Sequence, residues 1–128
     1  MSIELLKKLN ILYVEDEEEL SKELIHNLKF FVNDIIYCKN GKEGLESFYT
    51  NEKSIDLIIT DVLMPTLNGR DMVDKIRYTN KSIPIIYTTA FNDEEFIKYT
   101  QTQELVKNIA KPIDLEELVK CALDLTTN

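Results

Sequence analysis

A chain of 128 residues, 44% of them hydrophobic, is long enough for one domain with one core and too short for two ordinary domains. Its 15 basic and 23 acidic residues leave a formal net charge of -8, which argues against direct binding to nucleic acid or to an anionic membrane. With two cysteines and no apolar segment of signal-peptide length near Met1, we expect one domain over residues 1–128 in a reducing, cytoplasmic setting.

Short apolar runs alternate along the chain with segments whose apolar residues recur at helical spacing. The predicted strands are ILYV (11–14), IIYC (35–38), LIIT (57–60), IPIIYT (83–88) and VKNIA (106–110). The first four are apolar at nearly every position, as strands covered on both faces are. The fifth alternates, which favours a position at the edge of a sheet.

Five segments between and after these strands have helical apolar stripes. The stripes are Leu20, Leu24, Leu28 and Phe31; Leu45, Phe48 and Tyr49; Met72, Val73 and Ile76; Phe96 and Ile97; and Leu115, Leu118, Val119 and Ala122. Asn40 with Glu43, and Asp114 with Glu117, have the spacing of capping boxes at helix starts. The segment after Asn92 is mostly polar, so we expect its helix to be short and loosely held.

Strands that alternate with helices predict an α/β fold with a doubly wound, five-stranded parallel sheet and five helices. In such sheets the functional crevice lies at the carboxyl ends of the strands. The residues expected there are Glu15 and Asp16 after the first strand, Asp61 after the third, Thr88 and Thr89 at the end of the fourth, and Lys111 after the fifth.

Three carboxylates close together repel one another unless a cation lies among them, and oxygen ligands favour a hard ion such as Mg²⁺. A lysine and a hydroxyl beside Mg²⁺ suit phosphate chemistry, because both can bind phosphoryl oxygens. The turn after the first strand carries acids, whereas a nucleotide or flavin site would carry glycines there. Glu17, Glu18 and Glu19 are explained as the solvated first turn of a helix.

Four motifs, in order and on matching elements, resemble the receiver domains of two-component response regulators over essentially the whole chain. They are ED (15–16), TDVLMPTLNG (60–69), TTA (88–90) and KP (111–112). The resemblance implies a flavodoxin-like sheet with strand order 2-1-3-4-5. It also implies a signalling switch that accepts a phosphoryl group from a histidine kinase, a phosphotransfer protein or a small-molecule donor.

The same resemblance implies a role for each site residue. Asp61 is the expected phosphoacceptor, Lys111 the contact to the acyl phosphate, and Thr89 the hydroxyl that moves towards it. Mg²⁺ is expected on Asp16, on Glu15 through water, on Asp61, and on the backbone carbonyl of Leu63. Pro65 and Gly69 are expected to shape the loop after the acceptor, with Pro112 following Lys111 through a bond that is often cis in the family.

The implied output surface consists of the fourth helix, the fifth strand and the fifth helix, facing an unknown partner or a C-terminal effector domain. This chain departs from the family at two positions. Asn108 stands where many receivers have a switching aromatic, and Glu104 lies near a frequent glycine. We expect this chain to accept a phosphoryl group despite both changes. The resemblance does not predict how phosphorylation would then alter the output surface.

Three functions remain to be weighed. The favoured one is a phosphorylation switch that is not an enzyme beyond accepting and slowly losing its own phosphoryl group. A haloacid-dehalogenase-like phosphatase would need an acid two residues after Asp61, where this chain has Leu63. A pseudo-receiver would keep the fold as a binding module without phosphorylation. Thr89 as an ordinary strand residue and Lys111 as a solvated lysine are the structural alternatives, and His26, Cys38 and Cys121 are interpreted as structural or surface residues.

Overall fold

The computed structural model describes residues 3–90 and 93–127. Its strands are β1 (Asn10–Val14), β2 (Asp34–Cys38), β3 (Leu57–Asp61), β4 (Ile85–Thr89) and β5 (Val106–Ala110). Its α-helices are α1 (Glu18–Leu28), α2 (Gly41–Asn51), α3 (Gly69–Thr79), α4 (Glu94–Gln101) and α5 (Leu115–Thr126). A short 3-10 helix, Ile3–Lys8, precedes β1 and was not expected from the sequence.

All neighbouring strands pair in parallel, and their order is β2-β1-β3-β4-β5. Crossover helices cover both faces of this sheet, as the α/β pattern requires. The predicted doubly wound, flavodoxin-like architecture is therefore confirmed. No helix in the described ranges is long and apolar enough to cross a membrane.

The core consists of two apolar layers, one on each face of the sheet. Successive side chains of β1 alternate between the layers, with Ile11 and Tyr13 in one and Leu12 and Val14 in the other. The first layer packs against α1 and α5, and the second against α2 and α3. All four side chains of this central strand are essentially inaccessible to solvent, which explains its unbroken apolar sequence.

The expectation that β2 is covered on both faces is met only in part, because its side chains reach both apolar layers but are incompletely buried. Ile35, Ile36 and Tyr37 are only half-buried. The reason is the position of β2, which pairs with β1 and forms an edge of the sheet. An apolar run shows that a strand packs against something, but it does not distinguish an inner strand from an edge strand.

Helix boundaries follow the capping residues more closely than the apolar stripes. Asn40 Oδ1 accepts a 2.8 Å hydrogen bond from the Glu43 backbone N–H, as expected. Asp114 caps α5 through the backbone N–H of Glu116, at 3.1 Å, and not through Glu117 as expected. Tyr49 was assigned to the buried stripe of α2 but is 48% exposed, and Phe48 is the buried residue of that turn.

Helix α4 spans 8 residues and is the shortest α-helix of the described chain. Its buried face contacts β4 through Phe96, whose ring lies edge-on to Tyr87 at 4.8 Å between centroids. The guanidinium of Arg70 lies 3.8 Å over the Tyr99 ring and connects α4 to the start of α3. These contacts place α4 beside the carboxyl end of the sheet.

Candidate phosphoryl-accepting site

Charged side chains from three strand ends meet at the carboxyl edge of the sheet. Lys111 Nζ lies 2.8 Å from Asp61 Oδ2 and 3.1 Å from Glu15 Oε1. Lys111 follows β5, Asp61 ends β3 and Glu15 follows β1. Because the parallel register aligns these strand ends, residues distant in sequence form a single cluster. The predicted convergence of these residues is therefore present.

Three carboxylates of this cluster are arranged so that they could hold one cation. Ligand oxygens of Glu15, Asp16 and Asp61 all lie within 4.8 Å of one another. Glu15 and Asp61 are buried, with exposed fractions of 0% and 7%, while Asp16 faces solvent. Glu15 Oε1 is buried, and it accepts no hydrogen bond of good geometry from the described part of the chain. An oxygen-only set of this kind fits Mg²⁺, which neutralises the carboxylates and keeps water ligands on its exposed side.

Backbone groups fix the orientation of the Asp61 carboxylate. The Val62 N–H donates to Asp61 Oδ1 over 2.7 Å, while Lys111 holds Oδ2. The Thr60 hydroxyl donates to the Asp61 carbonyl oxygen at 2.8 Å. Both carboxylate oxygens are therefore constrained, and the group is presented from a rigid strand end and not from a mobile loop.

Hydrogen bonds from neighbouring residues also hold Glu15 in place. The Glu17 N–H donates to Glu15 Oε2 at 3.1 Å, and the Tyr37 hydroxyl donates to the Glu15 carbonyl oxygen at 2.5 Å. Burial raises the pKa of Glu15 from 4.5 to about 7, and the neighbouring Asp61 charge acts in the same direction. The Glu17 N–H and Lys111 oppose the rise.

The neighbouring carboxylates stabilise the charged form of Lys111. Burial lowers the pKa of its ammonium, but the hydrogen bond to Asp61 and the charges of Asp61 and Glu15 outweigh burial. The net result is a raised pKa, so Lys111 stays cationic through the physiological range. The positively charged Lys111 thus faces one carboxylate oxygen of Asp61, Oδ2.

The two threonines at the end of β4 lie next to this cluster, and their hydroxyls form no hydrogen bond to Asp61. Thr88 pairs with Asp61 in the β3–β4 register, and the Thr89 carbonyl accepts a 2.8 Å hydrogen bond from the Lys111 N–H. Both side chains are buried, and neither hydroxyl has a hydrogen-bond partner within residues 3–90 and 93–127. The Thr89 hydroxyl, which the resemblance predicts to move towards the acyl phosphate, is therefore near the cluster and available for a new hydrogen bond.

The cleft over the cluster also contains residues that sequence reasoning did not assign to the site. Its lining consists of Asp16, Glu17, Asp61, Val62, Leu63, Ala90, Asp93 and Lys111. Asp93 caps α4 by accepting from the Phe96 N–H at 3.3 Å, and the acidic sequence before that helix was the available signal. Glu17, interpreted as solvated, is exposed but borders the cleft.

The remaining residues of the predicted motifs lie around the cleft. The Leu63 side chain is 73% exposed at its rim. The Gly69 N–H donates to the Val62 carbonyl at 2.7 Å and closes the loop after Asp61, and the bond between Lys111 and Pro112 is cis. Phe91 stands two residues after Thr89, as Leu63 stands two residues after Asp61, and the family resemblance predicts that both lie near the phosphoryl group. Phe91 lies outside the described residues.

Comparison with known proteins places the chain in a family. The sequence model of the response regulator receiver domain matches residues 11–123. The chain therefore belongs to the receiver domain family of two-component response regulators.

Several relatives show how this domain occurs in longer proteins. The chain is 35% identical over 113 residues to the response regulator ArlR of Staphylococcus saprophyticus, covering 85% of this chain and 48% of ArlR. It is 38% identical over 88 residues to the alkaline phosphatase synthesis transcriptional regulatory protein PhoP of Bacillus subtilis, covering 69% of this chain and 35% of PhoP. A cyclic di-GMP phosphodiesterase of Thermotoga maritima is 28% identical over 110 residues, or 86% of this chain and 29% of the relative. The chain spans less than half the length of each of these proteins.

Solved structures share the fold. A response regulator receiver domain protein from Clostridium thermocellum superposes with a TM-score of 0.86 at 23% identity, covering 93% of this chain and 94% of that one. A response regulator receiver protein from Pseudomonas putida gives a TM-score of 0.79 at 25% identity, with coverage of 91% and 97%.

Proposed function

We propose that this domain is a phosphorylation-driven switch in which Asp61 accepts a phosphoryl group with the help of Mg²⁺. The observation that carries the proposal is the contact of Lys111 Nζ with Asp61 Oδ2, at 2.8 Å, inside a group of three carboxylates. A structural salt bridge would need neither the third carboxylate nor an open cleft above it. Membership of the receiver family supports the same function.

The chemistry assigned to Asp61 is nucleophilic attack on phosphorus. One carboxylate oxygen forms a bond to phosphorus while the bond from phosphorus to the donor's imidazole nitrogen or carboxyl oxygen breaks, and the electron pair leaves with the donor. Glu15, Asp16, Asp61 and the Leu63 carbonyl would hold Mg²⁺, which supplies positive charge for the phosphoryl oxygens.

Lys111 is the protein's own cation in this step. As the Asp61 carboxylate becomes an acyl phosphate, the ammonium is released from the carboxylate oxygen and can pair with a phosphoryl oxygen instead. The unpartnered Thr89 hydroxyl is close enough in the fold to follow, since the Lys111 N–H is bonded to the Thr89 carbonyl. Movement of both residues towards the added charge would then shift β4, β5 and the helices that pack on them.

The partners in this proposal are a histidine kinase or a phosphotransfer protein as the donor and an output partner or effector domain as the receiver of the signal. The surface of α4, β5 and α5 is the proposed output face. We propose no enzymatic activity on other substrates, since Leu63 has no acidic group to protonate a leaving group, as a phosphatase of the dehalogenase class would need. A cytoplasmic setting is part of the proposal.

Intact-mass measurement after incubation with acetyl phosphate and Mg²⁺ tests the proposal directly. The unchanged protein should gain the mass of one phosphoryl group, and Asp61→Asn should gain none. A chelator added before the donor should abolish the gain in the unchanged protein. Absence of any gain with Mg²⁺ present would favour the pseudo-receiver function.

A further inference from the structure

The first turn of α2 lies directly against the loop that follows Asp61. Gly41 is buried there, and a Cβ atom on it would lie 2.0 Å from the Leu67 carbonyl oxygen and 2.8 Å from the Leu67 carbonyl carbon. A side chain cannot approach backbone atoms that closely, and the Leu67 peptide is not the flexible end of a side chain. The two segments meet at this distance because residue 41 is glycine.

The loop in contact with Gly41 is internally constrained. Its base is closed by the 2.7 Å hydrogen bond from the Gly69 N–H to the Val62 carbonyl. Within it, the Leu67 N–H donates to the Pro65 carbonyl at 2.8 Å, around Thr66 with φ of 72°. This is a γ-turn in the left-handed region, which a β-branched residue rarely adopts. Movement of Leu67 would therefore shift the loop as a unit.

The same loop carries the backbone of the candidate site. It begins directly after Asp61, includes Leu63, and orients the Asp61 carboxylate through the Val62 N–H at 2.7 Å. At its far end, Gly69 packs so closely that a Cβ would lie 1.9 Å from the Asp61 carbonyl oxygen. The Leu67 side chain packs into the apolar layer beneath α2 and α3. The loop is thus fixed at both ends and held against α2 in between.

We propose that Gly41 is a positioning residue for the phosphoryl-accepting site. By leaving space for the Leu67 peptide, it holds the 62–68 loop where the Leu63 carbonyl and the Asp61 carboxylate can bind the same divalent cation. The inference rests on the proposed function for the identity of the cation. Gly41 itself contributes no ligand and belongs to none of the motifs that identified the site.

Titration of the metal-free protein with Mg²⁺ alone, compared across matched variants, tests this role. Gly41→Ala should weaken Mg²⁺ binding about tenfold, the range seen when groups that orient metal ligands are altered. It should also speed amide exchange of residues 62–69 in the absence of metal. Gly44→Ala is the matched control, because it makes the same change one turn later in α2.

At Gly44 the added Cβ would meet Met72 Sδ at 2.8 Å and Val14 Cγ2 at 2.9 Å, which are core side chains and not the loop. Both substitutions replace a buried glycine of α2 by alanine. Gly44→Ala should therefore change thermal stability while leaving Mg²⁺ affinity as it is. Equal weakening of Mg²⁺ binding in the two variants, or none in Gly41→Ala, would overturn the proposal.

If Gly41→Ala does not fold, Leu67→Ala provides the test, since it removes the loop's side-chain anchor and leaves α2 intact. It should weaken Mg²⁺ binding in the same way, and unchanged affinity would overturn the proposal. The unchanged protein is titrated first. Failure of that protein to bind Mg²⁺ would refute the proposed metal site itself, which is a different result from equal binding by all variants.

Discussion

The Asn108 side-chain amide donates a 3.1 Å hydrogen bond to the Thr100 hydroxyl and so connects β5 to α4. Thr100 is buried, and its hydroxyl donates in turn to the Ile97 carbonyl at 2.7 Å. Asn108 Oδ1 is buried and has no hydrogen-bond partner among the residues that the structure describes. At the position where many receivers have a movable ring, this chain therefore has a polar link to α4 with one acceptor unused.

Removing the acceptor of this link should loosen α4 selectively. Thr100→Val keeps the shape of the side chain but leaves the Asn108 amide unpaired, which costs about 1 kcal/mol. We expect amide exchange in α4 to speed by about fivefold, the equivalent of that free energy. Phosphoryl uptake from acetyl phosphate should be unchanged, and a parallel loss of uptake would show that the link also supports the site.

Phosphorylation should alter the surface of α4, β5 and α5 more than the rest of the domain. The short α4 has few buried residues, and elements of low local stability are the easiest to reposition. Amide exchange with and without beryllium fluoride, standing in for the phosphoryl group, measures the change. Asn108→Tyr should modify the response of this surface more than phosphoryl uptake. A response confined to α1 and α2 would contradict this assignment.

In the acidic segment 15–19 after β1, we expect some carboxylates to bind the metal ion and the others to be solvated. Asp16→Asn removes a carboxylate from the cluster and should lower Mg²⁺ affinity by roughly tenfold or more. Glu19→Gln removes an exposed charge on α1 and should leave Mg²⁺ affinity nearly unchanged. Calorimetric titration of both variants provides the comparison. Equal effects would mean that the run is not divided in this way.

The metal-free protein should lose stability as pH rises from about 5 to about 8. Because burial raises the pKa of Glu15 from 4.5 to about 7, the folded state keeps a proton that the unfolded state has released. The stabilisation is complete below pH 4.5 and is lost as pH rises through about 7.

Glu15→Gln should flatten this slope, since an amide does not titrate. The contribution is on the order of 2 kcal/mol, and it is measured by urea denaturation across the pH range without Mg²⁺. Glu46→Gln, on the exposed face of α2, is the control and should leave the slope as it is. If the stability of Glu15→Gln still falls with pH in the same way, a group other than Glu15 causes the pH dependence.

The phosphorylated state should be long-lived. Leu63 borders the cleft with its side chain 73% exposed, and an apolar group cannot hydrogen-bond the water that attacks phosphorus. Leu63→Asn with Phe91→Glu should therefore lose phosphate several times faster than the unchanged protein, as followed by intact mass after donor removal. If both proteins lose phosphate at the same rate, that rate is set by Lys111 and Mg²⁺ and not by these two side chains.

The sequence alone was sufficient to predict the strands, the α/β order and the convergence of Glu15, Asp61 and Lys111. Strand β5 was predicted without error over 106–110, and β1 and β3 to within one residue. Unbroken apolar runs are a strong signal because inner parallel strands are buried on both faces. Since strand ends in such a sheet share one edge, the convergence of Asp61 and Lys111 followed from the topology.

The tertiary structure decided what depends on contacts between distant segments. The half-burial of β2 reflects its single neighbour, and the exposure of Tyr49 reflects where α2 meets the sheet. The approach of Gly41 to Leu67 has no local signal, because a glycine at a helix start is compatible with many surroundings. Local propensity and periodicity describe a residue's own element, whereas distances between elements arise only when the core has packed.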